Sequence, residues 1–288
     1  MAAVVLLVPC TARAEMLIRG HTPQRHDRFY VGDDKAFLGQ PFDWSGVGRT
    51  SDEWVTMVSP SYFLSAAHLA PDTDDSVTFY PGNDKSTPRV YTVAQGGHQV
   101  LVNGTPTDLW LGRLTTPLVE GHHINYYPVL SLGSPASYLG KELYNYGLTD
   151  RVGRNVLDEL VSVTLGGSTG LSMVYDYDNN DVPDVGGDET FLQSGDSGGP
   201  SFTVWNGKLA LLGIHWFNGK PTGEPWFSGD TFVPHYIDAI NGGMGDHRLT
   251  LVPEPSGLAL WACGGLLVIA CVWRGRMRRC RVRSARSG

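Results

Sequence analysis

The apolar positions of this chain fall in short runs separated by glycine, proline, asparagine and aspartate, with little sustained helical period. Runs of that length bounded by turn formers predict strands. The first half holds them at 54–59, 62–65, 76–80, 89–93 and 108–114, the second at 142–148, 156–165, 172–178, 200–204 and 208–216. Asn206-Gly207, between the last two, predicts a two-residue hairpin, because both positions tolerate positive φ. A short helix is expected from about His235 to Gly242-Gly243, whose glycines suit a C-cap. Many short strands at this spacing predict an all-β fold of the sandwich or barrel kind.

Composition agrees. With 288 residues, 41% of them hydrophobic and 18% charged, the chain can bury one large domain or two small ones and does not read as disordered. The net charge of −7 hides an asymmetry, because seven arginines (Arg274, Arg276, Arg278, Arg279, Arg281, Arg283, Arg286) crowd the last fifteen residues. The rest is strongly acidic, which argues against a nucleic-acid partner, since phosphate binding needs a basic face. Cys10, Cys263, Cys271 and Cys280 all lie in or beside terminal apolar stretches, so the body is expected to hold no disulfide and no thiolate metal site.

Both ends read as addresses. Residues 1–14 combine an apolar run with Ala12-Arg13-Ala14, the small-x-small form of a signal-peptidase site, and predict export. The alternative is a buried first strand. Residues 257–273 are uncharged and mostly apolar, about the minimum length for a membrane-spanning helix, and the arginine run that follows would stay on the cytoplasmic side. Val252-Pro253-Glu254-Pro255-Ser256 precedes them. Segment 251–288 thus resembles the PEP-CTERM sorting signal of Gram-negative bacteria. That resemblance implies a temporary anchor removed by an exosortase-type processing enzyme, leaving an exported protein on the surface or secreted. The alternative is a permanent single-span anchor.

The body carries a candidate for nucleophilic chemistry in Gly195-Asp196-Ser197-Gly198-Gly199-Pro200. Glycines around a serine permit a tight turn, and the amides of Gly195 and Ser197 would serve a developing oxyanion. A serine hydroxyl needs a base, and the base needs an acid to fix its tautomer. His68 ends an apolar run in Leu64-Ser65-Ala66-Ala67-His68, and Asp108 opens another in Thr107-Asp108-Leu109-Trp110-Leu111. A buried carboxylate is costly unless paired, and a protonated histidine would meet that need.

Ala-Ala-His, then Asp-Leu-x-Leu, then Gly-Asp-Ser-Gly-Gly-Pro, in that order, resembles the trypsin/chymotrypsin family over about residues 18–243. The resemblance implies two six-stranded antiparallel β-barrels, about 28–120 and 121–234 within a domain 15–250, with the active site in the cleft between them. It implies a serine-type endopeptidase acting on proteins or peptides without a cofactor, through Ser197 as nucleophile, His68 as base and then acid, and Asp108 as its orienting partner. Asp196 matches the carboxylate that pairs with a new N-terminal amine after activation. A catalytically silent, protease-like surface or matrix protein is the alternative. A lipase or esterase would place its acid and histidine after the serine, against the order here.

Departures from the family pattern bear on activation and specificity. Ile18-Arg19-Gly20 is the nearest candidate for an activated N-terminus, and Gln24-Arg25-His26-Asp27 resembles a motif near the start of bacterial relatives, leaving two registers open. The resemblance places Phe191 and Leu192 at the base of the substrate pocket, and His215, Trp216 and Phe217 along the strand against which substrate lies. Phe191 stands where trypsin-like members carry an aspartate, so a basic preference is not expected. A shallow apolar pocket is, with His215 favouring acidic residues as the alternative. Asp176, Asp178 and Asn180, followed by Asp181, Asp184 and Asp188, resemble a calcium loop lacking its usual sixth-position glycine and twelfth-position glutamate; a solvated acidic loop is the favoured reading.

Overall fold

The computed structural model describes residues 14–178 and 185–252. All but the last residue of the expected signal 1–14, together with Asn180, Asp181 and Asp184, the apolar stretch 257–273 and the arginine tail, lie outside the described residues. Within them, no helix is long and apolar enough to cross a membrane.

The described chain is all-β, built on two antiparallel sheets. One runs Arg89–Thr92, Ser76–Phe79, Val47–Arg49, Trp54–Met57, Tyr62–Ser65, Thr105–Arg113, His98–Val102, seven strands in that order. The other has nine. Seven run Arg151–Val156, Glu142–Gly147, Pro200–Trp205, Lys208–Gly219, Trp226–Phe232, Ser168–Tyr177, Glu159–Leu165. Val129–Leu130 joins the long strand Lys208–Gly219 in parallel, and Leu251–Val252 pairs with Val129–Leu130. A ribbon of Leu17–Ile18 and Thr190–Phe191 stands apart.

Successive side chains on a strand face opposite ways, and here both faces are buried. On Lys208–Gly219, Leu209 and Leu211 enter a core shared by the two sheets, whereas Ala210 and Leu212 enter a core of the second sheet's own. On Tyr62–Ser65, Leu64 joins the shared core and Phe63 one belonging to the first sheet. Double-sided burial explains why these strands read as unbroken apolar runs rather than alternating ones.

The Asn206-Gly207 turn has φ of 47° and 75° and joins Trp205 to Lys208. Asn103-Gly104 makes the same turn, φ 51° and 81°, so the strand bearing Asp108 starts at Thr105 and the acid sits inside it. The run expected at 156–165 is two strands, because Leu157 and Asp158 turn away to bond Lys141 and Val174. The expected helix is a 3-10 turn, Val233–Tyr236, continued as Ile237–Gly243; its C-cap is Met244, and the left-handed glycine follows at Gly245 (φ 60°). Gly243 is instead needed for close packing, since a Cβ there would meet Leu111 at 2.7 Å and His98 at 2.8 Å.

Candidate active site

His68 lies in a 3-10 turn, Ala67–Leu69, at the exit of Tyr62–Ser65. Trp110 pairs with Ser65 across the neighbouring strand, so Asp108 arrives beside the turn. Its carboxylate engages His68 twice: Oδ1 accepts the His68 amide at 3.0 Å and Oδ2 faces Nδ1 at 2.7 Å. The other ring nitrogen, Nε2, lies 2.9 Å from Ser197 Oγ. Asp108 is 1% exposed while the His68 side chain is 37% exposed, so the acid is sealed and the base faces solvent. Burial pushes the Asp108 carboxyl above its ordinary value, and His68 opposes the shift. Thr231 Oγ1 donates to the Asp108 carbonyl at 3.2 Å, tying this strand to the second sheet.

The serine turn is braced from several sides. Gly198 has φ 82°, and a Cβ there would stand 2.9 Å from Ser65 Oγ, so both conformation and space require glycine. Its amide donates to the His215 carbonyl at 3.0 Å, and the His215 amide returns a bond to Gly199 at 2.8 Å. Trp54 Nε1 donates to the Gly195 carbonyl at 3.1 Å, and the Ser194 carbonyl accepts the Ala14 amide at 3.0 Å. A trans peptide directs its C=O and N–H oppositely, so the Ala14 bond turns the Gly195 N–H away from the N-terminal segment.

Asp196 is fully buried, its oxygens accepting the amides of Leu148 (2.7 Å) and Gln193 (2.6 Å). Burial pushes it up to about 6 against those bonds and the influence of the nearby His215 and Arg49 side chains. No ion pair to Asp196 occurs among the described residues. Ile18 is no free end in this chain: it is paired with Thr190 and 6% exposed. Arg25, His26 and Asp27 form an ion-pair hub, with Arg25 bidentate on Asp188 at 2.6 and 2.7 Å, His26 on Asp188 at 3.1 Å, and Asp27 meeting His21 and Arg151.

Of the residues assigned to the substrate pocket, all but Phe217 are buried. Phe191 and Leu192 are buried; Phe191 packs on Trp226, with Lys220 Nζ 5.1 Å from its ring. Trp216 is 7% exposed and meets Phe217 edge-on. The Phe217 ring covers Gly229 so closely that a Cβ there would fall 2.1 Å from it. His215 is sealed, with Nδ1 2.9 Å from Asp230 and Nε2 3.2 Å from the Tyr146 carbonyl, which corrects its alternative assignment as a reader of acidic side chains.

The acidic loop gathers differently from the expected calcium loop. Asp176 and Asp178 join Glu189, their ligand oxygens within 4.8 Å of one another. Asp188 is held away by Arg25, His26 and Arg154. Arg19 neutralises Glu189. Asp176 is pushed up to about 7 by burial and by Asp158, Asp178 and Glu189.

Trp54, Tyr146 and Asp230 escape a reading of the sequence, because each acts through a contact far along the chain with no local pattern. No family model and no curated protein matches this chain.

Proposed function

We propose that this chain is an exported serine endopeptidase of the trypsin/chymotrypsin kind, with the sheets of seven and nine strands each contributing the strands of one six-stranded barrel. The observation that carries the reading is the unbroken relay from Ser197 Oγ through both nitrogens of His68 to Asp108. Ser197 attacks the scissile carbonyl while His68 Nε2 takes its proton, and Asp108 stabilises the resulting imidazolium. The oxyanion forms against the amides of Gly195 and Ser197. His68 then returns its proton to the leaving amine, and water, activated by the same ring, hydrolyses the acyl-enzyme.

The Phe217 ring over Gly229 and the sealed Phe191 support a shallow apolar pocket for small or medium uncharged residues. The chemistry requires no cofactor, and the acidic cluster is assigned no calcium. Segment 251–288 acts as a PEP-CTERM signal, with 257–273 as the anchor that an exosortase-type enzyme removes. A fluorophosphonate probe tests the activity: the native chain is expected to label, and Ser197→Ala and His68→Ala are not. A native chain that stays unlabelled overturns the reading.

A further inference from the structure

His215 and Asp230 form another histidine–aspartate couple, adjoining the serine turn. Asp230 Oδ1 takes both His215 Nδ1 at 2.9 Å and the Tyr175 hydroxyl at 3.1 Å, and all three side chains are fully buried. Nε2 of the same ring faces the Tyr146 carbonyl at 3.2 Å. Both ring nitrogens thus face oxygen acceptors, and a ring completes both bonds only when each nitrogen carries a hydrogen.

The couple is mechanically joined to the nucleophile. The His215 backbone exchanges hydrogen bonds with Gly198 and Gly199, on either side of the turn's exit. A Cβ on Gly199 would meet the Tyr146 carbonyl at 2.6 Å and His215 Cδ2 at 2.8 Å, so the ring and the turn are in direct contact. One peptide beyond that carbonyl, Gly147 packs on Asp196, and the Leu148 amide bonds it. Asp196 therefore sits buried with amide partners, and the ring lies against the same turn at Gly199.

We propose that His215 is a positioning residue for Ser197: its backbone pins Gly198 and Gly199, and its buried, doubly protonated ring packs on the turn and adds, with Arg49, an internal positive charge for Asp196. The role rests on the activity proposed above. In it, the charge that an activating amine would bring from outside is already built into the second sheet. The charged and titratable groups concerned are Asp230 from Trp226–Phe232, Tyr175 from Ser168–Tyr177, Asp196 from the turn itself, and Arg49 from Val47–Arg49, which acts on Asp196 together with the ring.

The test uses the full chain with labelled histidine. At neutral pH the His215 ring, assigned by its disappearance in His215→Gln, is expected to show two N–H resonances. Gln keeps a donor toward Tyr146 and loses the charge; Asn keeps the donor toward Asp230. Both variants are expected to slow the covalent step of fluorophosphonate labelling about tenfold or more while leaving probe binding unchanged. Asp230→Asn serves as the second variant if these do not fold. A single ring N–H, or variants that label at the native rate well below their melting temperatures, overturns the proposal. A native chain that never labels removes the activity and the positioning role together, while the N–H count still decides the charge.

Discussion

Two histidine–aspartate couples adjoin the serine turn with nearly the same bond, 2.7 Å in His68–Asp108 and 2.9 Å in His215–Asp230. They differ in what the second ring nitrogen meets. On His68 it meets a serine hydroxyl at the surface, a group that gives up a proton; on His215 it meets a carbonyl inside the fold, which only accepts. One ring is therefore free to take a proton, and the other is occupied on both sides. On the proposed activity the same two residue types serve as a base in one place and a strut in the other, and the environment decides which.

The largest effect that would break this contrast is expected at Asp108. In Asp108→Asn the amide can donate to Nδ1, which leaves the hydrogen on Nε2, where it can no longer accept from Ser197. Labelling of Ser197 is expected to fall about 10⁴-fold. The fold should not suffer, because Asn keeps an oxygen for the His68 amide and removes the burial cost that raises the carboxyl. A melting temperature that falls along with the rate would mean that Asp108 is a structural acid.

Asp230→Ala inverts the pattern. It strands the His215 ring and the Tyr175 hydroxyl inside the protein, and breaking a buried pair on one side costs about 3–5 kcal/mol. Chemical denaturation is expected to show that loss as a lower midpoint. An unchanged midpoint would sink the picture of a sealed, paired couple.

How much of this was legible in the sequence follows from the range of each interaction. Ser197, His68 and Asp108 stand in short strings whose residues are chemically unusual, and the strand runs follow from apolar stretches ended by turn formers. Asn103-Gly104 carried the same signal as Asn206-Gly207 and would have started the Asp108 strand at Thr105. The strand Arg151–Val156 was hidden by its two arginines, glycine and asparagine; Arg154 bonds Asp188, and Asn155 bonds the Thr190 and Asp176 carbonyls. Asp230 sits fifteen residues from His215, across a hairpin whose register shifts between His215 and Phe217. No local pattern reports such a pairing; only the completed sheet does.

Carboxylates with no histidine sharpen the comparison at its small end. Asp108 and Asp230 each meet a ring that can carry positive charge, whereas Asp176 faces Asp158, Asp178 and Glu189 and is pushed from 3.8 up to about 7. Between about pH 4 and 7 the folded chain keeps a proton there that the unfolded chain has released, so stability falls as pH rises through that window. Asp176→Asn removes the repulsion. The variant is expected to melt a few degrees above the native chain at pH 8, with the gain vanishing below about pH 4, where both states are protonated. The gain stays modest because the side chain is partly solvated and screened. A destabilised Asn variant at pH 8 would show that crowding of like charges around Asp176 is not what separates it from the two couples.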